Sequence, residues 1–296
     1  MISIAMATYN GAKYIKEQLD SILNQSVADF ELVICDDVST DNTWNILENY
    51  KNKDSRIRIY KNEKNLGFIK NFEQTIHRCN GEMIALCDQD DIWLPNHIQV
   101  LLDLIGNKMI ACANAEIING EGDHLGYTEA WLDALDSLAD DDVKKGYSVF
   151  LFRSPFYGNT MLIKREFFDI ALPIPQAAAA HDMWFSLLGC VYGGINYTWD
   201  CVVEYRRHNY NVSSSKTKRI SRVRPFVSQI IRKQHHVHRL ELINEIERRI
   251  VDRGCEYQTY CFLNEVKHYF LRRKHLWGRL YNAFFQLMHF KIVYNC

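Results

Sequence analysis

Through the first ninety residues, short apolar runs alternate with apolar residues at helical spacing, and that alternation constrains the fold of this chain most tightly. Ile2–Ala7 is apolar and ends in the turn signal Thr8-Tyr9-Asn10-Gly11. Tyr14, Ile15, Leu19, Ile22 and Leu23 then recur with helical period. Phe30–Cys35 is the second run, stopped by Asp36-Asp37, and Ser39, Thr40 and Asp41 offer N-caps ahead of Trp44, Leu47 and Tyr50. Ile57–Tyr60 is a third run, followed by Phe68, Phe72 and Ile76 at helical spacing. Met83–Cys87 is a fourth, closed by Asp88-Gln89-Asp90-Asp91. Strands alternating with helices predict an α/β fold, with a mostly parallel sheet flanked by helices on both faces. Ligands of such sheets sit beyond the carboxyl ends of the strands, near the switch point. The polar groups of this chain collect at those ends, so they predict one site.

Asp88 and Asp90 stand two apart in a turn just after a buried strand. Two hard oxygen ligands so placed can hold Mg²⁺ or Mn²⁺ and leave positions for water and diphosphate oxygens. The Asp-x-Asp pattern alone is weak, because Asp140-Asp141-Asp142 matches it in a polar run with no strand ahead, which reads as a solvated loop or helix start. Asp36-Asp37 either caps the following helix or offers a carboxylate to ligand hydroxyls. Ser39, Thr40 and Asp41 compete for the capping task.

The ordered set Met6–Gly11, Cys35–Thr43, Asn65–Phe72, Leu86–Trp93, Phe156–Thr160, His181–Trp184 and Tyr205–His208 resembles the family 2 inverting glycosyltransferases with the GT-A, Rossmann-like fold. It covers about residues 1–212. The Asp-Gln-Asp-Asp-Ile-Trp, His-Asp-x-Trp and Tyr-Arg-x-His combination is most similar to bacterial enzymes that assemble O-antigen or capsule, many of them rhamnosyltransferases.

The resemblance implies roles. Asp37 contacts the base and Tyr9 stacks near it, with Thr8 beside them. Lys70 or Asn71 approaches the nucleotide, in a segment that departs from the usual Arg-Asn version. Asp90 is the principal metal ligand, Asp88 holds the ribose or metal waters, and His208 completes the metal shell. Gly158 and Asn159 line the donor-sugar pocket, and Asp182 is the catalytic base. The chemistry gives independent reasons for these residue types. A sugar hydroxyl is a poor nucleophile, so a carboxylate must accept its proton as it attacks. Attack opposite the diphosphate puts that base on a chain segment other than the metal's. Asp182 satisfies this, although it also reads as a helix N-cap after Ala177–Ala180.

Charge divides the chain. Up to residue 215 there are 18 Lys and Arg against 30 Asp and Glu, and after it 17 against 6. The acidic part suits a metal, and the basic part suits phosphates or an anionic membrane. We therefore expect a catalytic domain over residues 1–215 and a basic, aromatic-rich helical extension over 216–296. Leu240, Ile243, Ile246 and Ile250 repeat at helical spacing, and residues 257–273 form a second such stretch. Residues 276–294 interleave aromatics with Lys and Arg, a pattern of helices that lie in a membrane interface. The same stripes could instead pack on the catalytic domain. An acceptor linked to a lipid diphosphate would explain both the charge and the aromatics.

Nine cysteines without paired spacing, and an N-terminus without a signal peptide, predict a cytoplasmic protein, peripheral on the inner membrane face. No apolar stretch is long enough for a membrane span. The acidic front half and the lack of a base-reading motif argue against nucleic acid. A sugar nucleotidyltransferase would need a glycine-rich basic loop after the first strand, and Thr8–Gly11 is not one. A catalytically silent, glycan- or partner-binding relative would tolerate loss of Asp37, Asp88, Asp90 or Asp182, and all four are present.

Overall fold

The predicted alternation forms as β1 (Ile2–Thr8), α1 (Ile15–Leu23), β2 (Phe30–Asp36), α2 (Thr43–Lys51), β3 (Ile57–Lys61), α3 (Phe68–Arg78) and β4 (Met83–Cys87). The computed structural model describes residues 1–128, 156–208, 211, 233–251 and 257–272. Asp140–Asp142, the linker after residue 211 and the 276–294 stretch lie outside these. Beyond β4 come β5 (Ile92–Trp93), α4 (His97–Ile105), β6 (Ile110–Ile118), β7 (His124–Thr128), β8 (Met161–Lys164), α5 (Phe168–Ala171), α6 (His181–Val191) and β9 (Ile195–Arg206). Two helices follow, α7 (Lys233–Val251) and α8 (Tyr257–Arg272).

The described strands make one sheet in the order β3-β2-β1-β4-β8-β6-β9-β5, with β7 added to β6. Strands β1, β2, β3, β4, β6 and β9 run one way, and β5, β7 and β8 run against them. The sheet is therefore mostly parallel. The chain leaves β1 for β2 on one side and reaches β4 on the other, which puts the switch point at β1.

Alternate residues of the central strands feed two cores. Ala5, Val33, Ile84 and Leu86 pack with α3 and α6, while Ile4, Met6, Leu32, Ile34 and Ala85 pack with α1, α2 and α4. Each strand is buried on both faces, as a covered parallel sheet requires.

Of the three predicted caps of α2, Asp41 alone bonds its first turn: Oδ1 accepts from the Thr43 amide at 3.0 Å. Ser39 and Thr40 are used differently. The Ser39 hydroxyl donates to Asp36 Oδ1 (2.5 Å) and accepts from the Asn10 amide (2.9 Å), and the Thr40 amide donates to Asn10 Oδ1 (2.8 Å). They tie the β1 and β2 loops together, a task invisible to local spacing.

The choice left open for the tail helices resolves toward packing where residues are described. Leu242, Ile243, Ile246 and Ile250 of α7, and Leu263 and Val266 of α8, are buried in the core that holds Trp184 and Phe185. Among the described residues no helix is long and apolar enough to cross a membrane.

Candidate active site

The β1 and β2 ends are joined by side chains. The Thr8 hydroxyl donates to Asp36 Oδ1 at 3.1 Å, and the Asp37 amide donates to the Thr8 carbonyl at 2.8 Å. The buried Asp37 carboxylate accepts from the amides of Leu66 (2.8 Å) and Gly67 (2.9 Å) and from Asn62 Nδ2 (2.8 Å). Gly67 sits at φ 78°, where a side chain would be strained, immediately before α3. Val38, next to Asp37, is held at φ 64°, a left-handed conformation rare for a β-branched residue and costing about 1–3 kcal/mol. The bonds to Asp37 before it and from the Ser39 amide after it fix the chain there.

The two nucleotide candidates on α3 have different surroundings. Asn71 is buried, donates to the Cys35 carbonyl (2.8 Å) and accepts from Asn62 (2.9 Å), so its amide builds the wall behind Asp37. Lys70 is half-exposed and ion-paired with Glu73 at 2.8 Å. Tyr9 is 48% exposed, the exposure a base-stacking ring needs. Its backbone is gripped by Gln89, which accepts from the Tyr9 amide (2.9 Å) and donates to its carbonyl (3.0 Å). A side chain at Gly11 would collide with the Gln89 carboxamide, so the glycine clears room for that clamp.

β8 pairs with β4 from Met83↔Lys164 to Ala85↔Leu162, and the 3-10 turn Gly158–Thr160 ahead of it carries Asn159 to the acidic loop. Asn159 donates to the buried Asp91, which also accepts from the Arg206 amide at 2.9 Å. Burial, and then the charges of Asp90 and Asp88, push the Asp91 carboxyl well above the usual carboxylate range. Arg206, buried to 1% exposure, donates from Nε to the Asp90 carbonyl (2.9 Å) and from Nη2 to Glu17 (2.5 Å). His208 Nε2 lies 2.8 Å from Asp90 Oδ2, and its ring lies 4.8 Å from that of Tyr14. The acidic loop is thus held by β9 and by α1.

Asp182 opens α6 and accepts from the Met183 amide at 2.6 Å. Burial, then Asp90 and then Asp182, push the Asp88 carboxyl up to about 8. Asp182 follows His181, which packs on Gly158, and the adjacent Asn159 bonds Asp91, so the start of α6 and the acidic loop meet at this turn. His181 beside it is buried, stacks 4.0 Å from Phe72, and lies against Gly158, where a Cβ would come within 2.5 Å of Nε2. Burial lowers the His181 pKa against the pull of Asp182. Both His181 ring nitrogens and Asn159 Oδ1 are buried without a hydrogen-bond partner among the described residues.

The sequence put Thr8, Tyr9, Asp37, Asp88 and Asp90 at one sheet edge; in the structure Thr8 bonds Asp36 and Asp37, Tyr9 bonds Gln89, Asn159 bonds Asp91 beside Gly158, and His208 lies against Asp90. Sequence reasoning missed Gln89, Asp91, Arg206 and Glu17. Gly11 was the available signal for Gln89. Nothing local marks the others, whose partners lie far along the chain.

Among the described residues no three His, Cys, Asp or Glu side chains form a ready cation cage. Asp90 and His208 offer one hard oxygen and one imidazole, a pair suited to Mn²⁺ or Mg²⁺ when a ligand's oxygens complete the shell. Burial and the neighbouring carboxylates push the Asp88 and Asp91 carboxyls up, and a cation bound at this loop would relieve that cost.

Residues 3–179 match the model of Glycosyl transferase family 2. The chain is 29% identical over 224 residues to the putative teichuronic acid biosynthesis glycosyltransferase TuaG of Bacillus subtilis (strain 168), covering 74% of this chain and 83% of that one. It is 35% identical over 122 residues to the UDP-Glc:alpha-D-GlcNAc-diphosphoundecaprenol beta-1,3-glucosyltransferase WfgD of Escherichia coli, covering 40% of this chain and 47% of that one. The crystal structure of S. aureus TarS 1-349 in complex with UDP-GlcNAc superposes with a TM-score of 0.63 at 20% identity, over 92% of this chain and 72% of that one.

Proposed function

The chain belongs to glycosyl transferase family 2 and has the GT-A fold, and from that premise we propose that it transfers a hexose or rhamnose, with inversion, from a uridine or thymidine diphosphate donor to a hydroxyl of a lipid-linked glycan in bacterial surface polysaccharide synthesis. One observation carries the reading: the Gly158-Asn159 turn lies against His181, the neighbour of Asp182, and bonds Asp91 of the acidic loop, so a proton acceptor and a diphosphate site lie beside the same turn.

The nucleoside lies between Tyr9 and the loop held by Asp37. Leu66 and Gly67 pin the Asp37 carboxylate, so it acts chiefly by shaping the pocket floor and offers the base its remaining lone pairs. Lys70 stands at the rim. Asp88 orients the ribose. Asp90 and His208 would hold Mn²⁺ or Mg²⁺, and the cation would neutralise charge developing on the departing diphosphate. Gly158 and Asn159 bound the sugar, with the unpartnered Asn159 Oδ1 able to accept from a sugar hydroxyl. Asp182 takes the proton of the attacking acceptor hydroxyl as that oxygen closes on the anomeric carbon from the face opposite the diphosphate. One displacement gives inversion.

The names of TuaG and WfgD support the surface-polysaccharide setting, and WfgD supports a lipid-diphosphate acceptor. UDP-GlcNAc in the TarS complex supports a nucleotide sugar in this fold. The basic, aromatic sequence of residues 276–294 supports a peripheral contact with an anionic membrane, where such an acceptor would be met. The test is a transfer assay pairing UDP-glucose, UDP-galactose, UDP-N-acetylhexosamines and dTDP-rhamnose with a GlcNAc-diphospho-lipid acceptor. We expect product from one donor, of inverted anomeric configuration by NMR. A product of retained configuration would refute the single displacement. Nucleotide binding without transfer to any acceptor would favour a silent relative.

A further inference from the structure

Among the described side chains beyond the charge boundary, Arg249 makes polar contacts with the segment that leads into α6. Arg249 of α7 is partly buried, its side chain 9% exposed, and all three of its nitrogens are bonded. Nε donates to Glu245 on its own helix (2.7 Å), Nη1 to the Ile170 carbonyl (2.7 Å) and Nη2 to the Pro173 carbonyl (2.7 Å). Its guanidinium also lies 5.0 Å from the ring centroid of Trp184. Trp184 in turn donates from Nε1 to the Ala171 carbonyl at 2.8 Å. From the opposite side, Glu73 of α3 accepts from the Ile174 amide at 2.5 Å. The segment 170–174 and the first turn of α6 are thereby clamped between α3 and α7.

Trp184 follows Asp182 by two positions, which is about 200° around the helix. The side of α6 that Arg249 covers is therefore nearly opposite the side that bears Asp182. We propose that Arg249 is a positioning residue for the reaction: by locking Trp184 and the 170–174 segment, it sets the direction in which Asp182 meets the acidic loop. A planar fork matches two carbonyls and a carboxylate at fixed angles, which a lysine cannot do. The extension then completes the catalytic frame. The inference rests on reading Asp182 as the base.

The test compares Arg249→Met, Arg249→Lys and Ile246→Val, the last trimming a buried methyl from the same helix. For each, kcat, donor KM, UDP affinity and Tm are measured. We expect Arg249→Met to lower kcat about 10²-fold, the scale of a slightly misplaced reacting group, with UDP affinity within about twofold. Arg249→Lys recovers part of the rate, and Ile246→Val lowers Tm while kcat holds. Wild-type kcat in Arg249→Met overturns the proposal, as does an equal loss of kcat in Ile246→Val at matched Tm. If Arg249→Met does not fold, Arg249→Lys decides: a tenfold lower kcat at unchanged UDP affinity supports the proposal, and wild-type kcat overturns it. Asp182→Asn separates the two readings. If it turns over normally, the base assignment fails and this inference with it. If it is inactive while the Arg249 variants keep wild-type kcat, only the role of Arg249 fails.

Discussion

Two acidic loops close neighbouring parts of the same sheet, and they are built in opposite ways. After β2, Asp36 and Asp37 are consumed by the framework: Ser39, Thr8, Asn62, Leu66 and Gly67 all donate to them. After β4, Asp88 is hemmed in by Asp90 and Asp182, and burial with their charge raises its pKa. The first loop is complete without a ligand. In the second, burial and the neighbouring carboxylates raise the Asp88 and Asp91 pKa values, while Asp90 lies against His208. Similar acidic pairs are therefore built differently: one is fixed into the framework, and the other is the one we propose serves a cation and the donor diphosphate.

The largest expected effect is at the cleft opposite the second loop. Asp182→Asn should lower kcat by about 10²–10⁴-fold, the usual contribution of a general base, while UDP affinity changes little. Normal turnover would remove the base assignment. Asp90→Ala should next abolish the gain in UDP affinity that Mn²⁺ gives. An intact gain by calorimetry would move the cation elsewhere. Asp37→Ala sharpens the contrast, because it should destabilise the fold by about 2–4 kcal/mol through amides left unpaired. Loss of nucleotide binding at unchanged denaturant midpoint would make Asp37 a ligand-only residue and erase the distinction between the loops.

A smaller effect concerns pH in EDTA. The folded Asp88 carboxyl holds its proton more tightly than the unfolded one, so stability is fullest below the unfolded value. It then falls as pH rises toward about 8. Tm should drop over that window, less steeply in Asp88→Asn. A slope equal in both proteins would place the strain on another group.

Much of this was legible early because it is local. β1 to β4 follow from apolar runs of strand length, and α3 from Phe68, Phe72 and Ile76. The polar ends of those strands gave the site because a parallel sheet must present them on one edge. What stayed hidden was long-range. Asp91 looked like one more acidic loop residue, yet it is buried by Asn159 and Arg206, 68 and 115 positions away. Arg206 stood in the sequence only as the arginine of Tyr205–His208, yet it spans the Asp90 carbonyl and Glu17. The stripe Leu240, Ile243, Ile246 and Ile250 showed that one face of a helix is apolar, and periodicity alone does not say whether lipid or protein covers it. Arg249, polar and next to that stripe, decided it by bonding the carbonyls of Ile170 and Pro173.

If the second loop and α6 form one cation-assisted donor site, calorimetry of UDP and dTDP against the intact protein, with Mn²⁺ and then with EDTA, will reveal it. At least one of the two nucleotides should bind, and bind tenfold or more tightly with Mn²⁺. Affinity indifferent to the cation, or no binding of either nucleotide, would contradict it.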